Sequence, residues 1–366
     1  MFNENRKKVK HFNLMDIVLT LLDRILPTGL CISHRKCIES LIRAILLTLS
    51  VNLMKLSRAM LSEAKPTSVM RRIQRLLGTK LFTCTTMGRA IVASLPQTRK
   101  YILTMDLTAW EYGNRNYNIM AISICYDGIS IPIYFETYDK DGASDFSEEI
   151  EFMEHLLDII PPEKIECLVA DREFGNGNFI KWLTVRHIPF CLRLREYFNI
   201  RSASSKKVVQ IRRKLVSLAI GESVILSDSY IVAKKIKVRI FATRCKGRLK
   251  GEDELLILAT PTDSDFTDRI YRLRWQIEVT FRAFKSAGFN MENTHLSTNG
   301  NFQNMLRLIF IAYAAAFLDG LDRIRSSPIP IMNNTKRKRF SIFSWGLDDV
   351  LRLIWANVKF ESPNST

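Results

Sequence analysis

With 366 residues, 47% hydrophobic and 25% charged, the chain has the composition of a folded protein with room for two or three domains, and wholesale disorder is excluded. Its formal net charge of +17 is unevenly placed: residues 1–100 carry 18 basic and 5 acidic side chains, 101–199 carry 8 and 17, 200–250 carry 14 and 2, and 251–366 carry 14 and 13. An acidic centre between two basic segments suits a polyanion held from both sides of a carboxylate-rich site. The seven cysteines are scattered without a CxxC pair, and Cys31, His34 and Cys37 lack zinc-finger spacing, so neither a disulfide framework nor a zinc site is expected. Unpaired cysteines point to a reducing cytoplasm. The opening MFNENRKKVK has no apolar stretch of a signal peptide, and the apolar run Leu308 to Leu318 is too short to span a bilayer, so no membrane partner is expected.

Residues 12–95 read as amphipathic helices, with apolar positions three and four apart in FNLMDIVLTLLDRIL and CIESLIRAILLTL. Around Leu53–Leu61 one helix runs into a break, where Pro66 and Thr67 supply a stop and an N-cap, and SVMRRIQRLLG forms the next helix. Arg71, Arg72 and Arg75 share roughly one face of it. Helix, tight turn and basic helix is the outline of a helix-turn-helix DNA reader, so residues 1–97 are expected to form a helical DNA-binding domain.

From Tyr101 the pattern changes to β-rich runs, YILTMDLTAW, YNIMAISICY and ISIPIYFETY, with Asp127-Gly128 as a hairpin turn. A helix over Asp145–Ile159, the run IECLVAD, a helix around Asn178–Arg186 and IPFCLRLR follow. Three strands, helix, strand, helix, strand is a mixed sheet with helices on its faces, the order of an RNase H-like core. We assign 98–195 to the first part of that core and 196–264 to a β-rich insertion. Residues 265–325, helical, form the second part, and 326–366 a Pro/Asn/Lys-rich linker and a last helix near Trp345–Val358.

Three carboxylates stand out. Asp106 lies inside an apolar strand and Asp171 ends another, and a carboxylate in such a place must be paired or coordinated. On the first and fourth strands of this order the two become neighbours. Glu278 lies in Tyr271-Arg272-Leu273-Arg274-Trp275-Gln276-Ile277-Glu278, with Lys285 beyond. Placed on one helix, Tyr271, Arg274, Glu278 and Lys285 fall at about 0°, 300°, 340° and 320°, a single stripe of about 60°. An exposed ion-paired face would account for Arg274 with Glu278, an i,i+4 pair, but not for Tyr271 in the same line.

The Tyr-x2-Arg-x3-Glu-x6-Lys spacing, Asp-Arg-Glu-Phe-Gly at 171–175 and Met-Asp-Leu-Thr at 105–108 resemble the transposases of the "insertion sequence 4" family, cut-and-paste DD-E enzymes, over about residues 50–300. The resemblance implies that Asp106, Asp171 and Glu278 hold two Mg2+ or Mn2+ ions, with Asp106 bridging both. Arg274 and Lys285 would clamp phosphates and Tyr271 would position the strand or the glutamate. It further implies that double-stranded DNA, as element terminal inverted repeats and target, is the partner, bound by a dimer, with a 3′-hydroxyl freed by hydrolysis that attacks either the opposite strand, forming a hairpin, or target DNA, to which it is finally joined. Some relatives place a tryptophan in the insertion to stack on a flipped base; this insertion offers only Tyr197, Phe198, Tyr230, Phe241 and neighbours. An RNase H-like nuclease without strand transfer shares the acidic site, but would leave the Tyr-Arg-Glu-Lys stripe and the N-terminal reader unexplained. A catalytically silent DNA-binding regulator would leave the intact carboxylate set unexplained.

Overall fold

The computed structural model describes residues 14–97, 99–112, 115–138, 142, 144–202, 207–232, 236–247, 253–285, 288–291, 296, 298–348 and 352. Five helices come first: α1 (Leu14–Ile25), α2 (Ile32–Thr48), α3 (Leu53–Ala59), α4 (Pro66–Leu77) and α5 (Cys84–Ser94). Then come β1 (Tyr101–Tyr112), β2 (Arg115–Tyr126), β3 (Ile129–Tyr138), α6 (Phe146–Leu157), β4 (Ile165–Ala170), α7 (Gly177–Val185) and β5 (Phe190–Arg193). Strands β6 (Asn199–Ser202), β7 (Val208–Gln210), β8 (Ser223–Val232), β9 (Ile236–Lys246) and β10 (Asp253–Thr260) lead to α8 (Asp268–Tyr271), α9 (Trp275–Lys285) and α10 (Asn299–Ile324). The chain divides into two compact units, Pro96–Phe281 and Met1–Leu95 with Arg282–Thr366, the boundary falling inside α9.

In the second of these units α10 is the organising element. It is apolar on every side, with Phe302, Leu308, Ile309, Phe310, Tyr313 and Phe317 all buried, so it must be enclosed, and α1, α2, α4 and α5 pack around it. It is long and apolar enough to cross a membrane, yet 83% of its apolar window is buried within the protein, as befits a core helix. Phe284 stacks on it through Phe310 and Tyr313, at ring distances of 5.3 and 5.4 Å. Sequence pattern alone assigns this helix to the catalytic core. In the structure it packs among the N-terminal helices, and a uniformly apolar helix carries no directional signal about what covers it. Its Asn304 Nδ2 donates to the carbonyls of Leu77 (2.7 Å) and Thr79 (2.8 Å), satisfying the C-terminal end of α4. The N-terminal end of α4 is also different from expectation: Lys65 is the N-cap residue, without a side-chain cap bond, and Pro66 occupies the first turn, where its missing N–H costs nothing. Val69, Ile73, Leu76 and Leu77 face inward, leaving Arg71, Arg72 and Arg75 exposed. The last helix is described over 342–348; apart from Arg352, which is helical, the remainder of the expected Trp345–Val358 element lies outside the described residues.

The Pro96–Phe281 unit is built on one ten-stranded sheet in the order β3-β2-β1-β4-β5-β10-β9-β8-β6-β7. The first five strands are the mixed set expected: β1, β2 and β3 form an antiparallel meander, while β4 pairs parallel with both β1 and β5. The architecture is mixed α/β and consistent with an RNase H-like fold. Asp127 and Gly128, both at positive φ (44° and 86°), make the β2–β3 hairpin turn. Asp145 caps α6 in a reciprocal capping box with Glu148. The insertion does not form a sheet of its own. Its last strand, β10, pairs antiparallel with β5 and so carries the central sheet onward through β9, β8, β6 and β7.

Gly175, the final residue of the Asp-Arg-Glu-Phe-Gly motif, explains why that motif ends in glycine. A Cβ there would sit 2.1 Å from the Arg193 carbonyl oxygen, a backbone atom that cannot swing aside. The loop after β4 is thereby seated directly on the end of β5. Gly175→Ala is expected to cost about 1–3 kcal/mol through forced backbone displacement, a fall in melting temperature of roughly 2–4 °C per kcal/mol. A thermal melt of the variant checks it, and an unchanged midpoint would show that the loop has slack.

Candidate active site

Strand alternation and parallel pairing together bring the two aspartates side by side. Met105 on β1 lies opposite Ala170 on β4, and the next residue of each strand is Asp106 and Asp171. Adjacent strands are about 4.8 Å apart. Alternate residues share a face of the sheet, and on this face Cys167, Val169, Cys191, Leu258 and Tyr271 form an apolar cluster with Ile102 and Ile270 packed against it. The segment 268–281 covers that face. Thr280 fastens it, its Oγ1 donating to the carbonyl of Ser130 (2.9 Å), both side chains being buried.

The helix that carries the third carboxylate is not a regular α-helix throughout. Arg272–Arg274 form a 3-10 turn between α8 and α9. In such a turn residues three apart eclipse one another, which lines Tyr271 up with Arg274 more closely than an α-helix would. The Arg274 guanidinium carbon is 5.7 Å from the centre of the Tyr271 ring. After the turn, Arg274 and Glu278 meet as an i,i+4 pair, Nη2 to Oε1 at 2.6 Å.

These two residues gather the carboxylates. Arg274 Nη1 lies 3.6 Å from Asp106 Oδ2, while its Nη2 holds Glu278. The Tyr271 hydroxyl donates to Asp171 Oδ1 at 2.9 Å. Asp171 has a further cationic neighbour that sequence reasoning missed: Arg193, at the end of β5, whose Nη1 is 3.7 Å from Asp171 Oδ1 and whose Nη2 pairs with Glu254 at the start of β10. The signal that singled out Asp171, a charge ending an apolar strand, is present in Phe190-Cys191-Leu192-Arg193 as well. The site is thus assembled from β1, β4, β5, β10 and the 268–281 segment.

The electrostatics divide the two aspartates. Burial pushes Asp106 up to about 7; Arg274 and the backbone N–H of Leu107 pull the other way, and the charges of Asp171 and Glu278 add to the rise. Burial also raises Asp171, but the Arg172 backbone N–H, Arg274, the Tyr271 hydroxyl and Arg193 outweigh it and hold its carboxyl below the usual range. Burial, followed by the neighbouring Asp171 charge, raises the Tyr271 phenol and keeps it a hydrogen-bond donor.

Among the described residues no three His, Cys, Asp or Glu side chains already stand as a metal cage. The donor set nevertheless suits a hard divalent cation: the carboxylate oxygens of Asp106 and Glu278 both reach one cationic group, the Arg274 guanidinium, and Asp171 occupies the neighbouring strand. Lys285 lies in the last turn of α9, two turns beyond Glu278 and partly buried, and belongs by packing to the unit that contains α10. Arg71, Arg72 and Arg75 also lie in that unit, on α4, where Arg72 Nη2 donates to Ser62 Oγ (3.2 Å).

Comparison with known proteins bears on this constellation. One solved structure to which the chain is similar is the Argonaute of Marinitoga piezophila in complex with 5′ OH guide RNA and target DNA, at 12% identity and a TM-score of 0.21, covering 66% of this chain and 34% of that one. The chain spans about a third of the length of that Argonaute. No curated protein matches. The model of the transposase DDE domain matches residues 97–315, more than half of the 366, and this span contains Asp106, Asp171, Tyr271, Arg274, Glu278 and Lys285. The chain belongs to the DDE-domain transposases.

Proposed function

We propose that this transposase cuts duplex DNA at element ends with Asp106, Asp171 and Glu278 as the ligands of two divalent ions, and that it joins the freed 3′-hydroxyl to target DNA, as in the "insertion sequence 4" family. The observation that carries the reading is that Arg274 and Tyr271, one 3-10 turn apart, contact all three carboxylates. Bound Mg2+ or Mn2+ would supply charge for the pentacovalent phosphate and lower the pKa of an attacking water. In the first step the water oxygen bonds to phosphorus, the P–O3′ bond breaks, and the 3′ oxygen leaves as a hydroxyl; in the second, that hydroxyl attacks another phosphodiester and displaces its 3′ oxygen.

The chain's own side chains prepare this chemistry. Arg274 compensates two carboxylates and retains further N–H donors for a phosphate oxygen. Tyr271 and Arg193 fix Asp171 from two sides, so that its carboxylate stays ionised at neutral pH. Lys285, on the same stripe two turns on, is the second phosphate contact. Arg71, Arg72 and Arg75, exposed on α4, present a cationic face for binding element ends, and the α3–turn–α4 unit is their scaffold.

Asp106→Asn, Asp171→Ala and Glu278→Ala are each expected to abolish Mg2+-dependent cleavage while duplex binding in chelator persists. For Asp106 the electrostatics add a stability signature. Its folded-state pKa, about 7, lies above the ordinary aspartate value, so folding is favoured most below pH 4 and loses that contribution as pH rises through 7. Without metal at pH 8, Asp106→Asn should therefore melt above the wild type, by about 2 °C or more, and Mg2+ should raise only the wild-type midpoint. A variant that melts lower than wild type and still cleaves would remove Asp106 from the metal site.

Lys285→Ala separates a phosphate contact from a solvated ion-pair stripe. An exposed pair is worth about 0–1 kcal/mol, whereas a lost phosphate contact should slow single-turnover cleavage about tenfold or more, about 1.4 kcal/mol of barrier per decade. A normal rate would confine the site to Tyr271, Arg274 and Glu278.

Because α10 completes the core around α1–α5, the reader helix is best tested in the full chain. Alanine at Arg71, Arg72 and Arg75 together should weaken binding of duplex DNA and flatten the slope of log K against log salt by up to about 2.7, about 0.9 per lost phosphate contact. A slope equal to that of wild type would move end recognition away from α4.

A further inference from the structure

We propose that Tyr197 and Arg212, at the start of the insertion, form a preorganised grip on the sugar–phosphate backbone of duplex DNA close to the cleaved bond. The inference rests on the transposase reading and extends it to a surface that neither the carboxylate site nor α4 includes. Arg212 Nη1 donates to the Tyr197 hydroxyl at 2.8 Å, and its guanidinium carbon stands 5.0 Å from the centre of the Tyr197 ring. The ring itself is 61% exposed.

The pair is held in place by the backbone beneath it. Residues Ile211–Lys214 form a 3-10 turn whose first two N–H groups bond to the 195–198 turn: Ile211 N–H to the Phe198 carbonyl (2.9 Å) and Arg212 N–H to the Glu196 carbonyl (3.1 Å). Ile211 is fully buried and anchors the turn, and Arg212, Arg213 and Lys214 stand out from it. An exposed ring–guanidinium contact adds little to stability, and with two main-chain bonds already fixing the turn, the fold does not need it. What the stacking does is orient a planar fork of N–H donors toward solvent, with only one of them used on Tyr197.

Charge selects the occupant. From 195 to 214 the sequence holds seven basic residues and one acidic one, Glu196, so the surface favours a polyanion over an apolar or acidic-poor protein face. Position selects which part of that polyanion. Tyr197 is four residues beyond Arg193, whose Nη1 is 3.7 Å from Asp171, and four residues span at most about 14 Å. Duplex DNA rises 3.4 Å per base pair. Allowing for the reach of the side chains at both ends, a phosphate gripped here lies within about one helical turn of one reacting at the carboxylates. Phosphate contacts of this kind set register without reading sequence.

The test uses the full-length protein in chelator, so that binding is read without cleavage, and a fluorescein-labelled random-sequence duplex of about 30 base pairs. Anisotropy titrations over a salt series give affinity and salt slope for wild type, Arg212→Ala, Arg212→Lys, Tyr197→Ala and, as control, Lys164→Ala at the other end of the sheet. Arg212→Ala should bind at least about threefold more weakly with a slope smaller by about 0.9. Arg212→Lys should restore the slope but not the whole affinity, and Tyr197→Ala should weaken binding with little change of slope. Melting temperatures within about 1 °C of wild type show that the fold is intact. Equal affinities and slopes for Arg212→Ala and Lys164→Ala overturn this inference alone. A changed oligomeric state on gel filtration with unchanged DNA affinity also overturns it, in favour of a contact between copies. Failure of the wild type to bind the duplex at all would bring down the transposase reading with it.

Discussion

The guanidinium of Arg274 between Asp106 and Glu278 is the interaction on which the candidate site depends. Three carboxylates drawn to one face of a sheet repel one another, and the burial of Asp106 makes its charge costly in addition, hence its rise to about 7. Without a cation among them the arrangement would relax apart. Arg274 supplies that cation to two of the three, and Arg193 with the Tyr271 hydroxyl supplies the third. Both arginines are largely enclosed, with side chains 15% and 16% exposed, so their charges are only weakly screened by solvent. The family-level use of divalent ions fits the same constraint: a site built to be neutralised by guanidinium in one state is built to accept positive charge in another.

Much of this was legible in the sequence because the signals are local and periodic. The strand order, the Asp127-Gly128 turn and the spacing from Tyr271 to Glu278 all follow from the chemistry of a few neighbouring residues. The adjacency of Asp106 and Asp171 followed from strand order alone, since the first and fourth strands of this topology pair in parallel. What escaped was non-local. Nothing in the apolar pattern of α10 says which helices enclose it, and a helix buried on every side has no solvent face to report its orientation. The N-cap expected at Thr67 does not form, because Pro66 sets the helix start earlier through its fixed φ, and Lys65 stands as N-cap without a side-chain bond. Arg193 escaped for a different reason: its partner Glu254 is 61 residues away, across an insertion whose register the sequence does not specify.

That insertion has a structural consequence beyond its charge. In a core ending at β5, the last strand would present an unpaired edge beside Asp171, open to any passing strand. By returning as β10, the insertion closes this edge and places Glu254 against Arg193. One arginine is then shared between Asp171 and Glu254, a carboxylate of the inserted strands. Any displacement of β10 would be felt at Asp171 through this shared group, because neither partner can move without altering the charge balance of the other. The same closure explains why the loop after β4 must be so tight: Gly175 lies against the Arg193 carbonyl, so the backbone that carries Arg193 is wedged between β10 and the Asp171 loop. Sheet continuity, glycine contact and ion pair therefore act on a single residue, and it is through Arg193 that the insertion touches the candidate site.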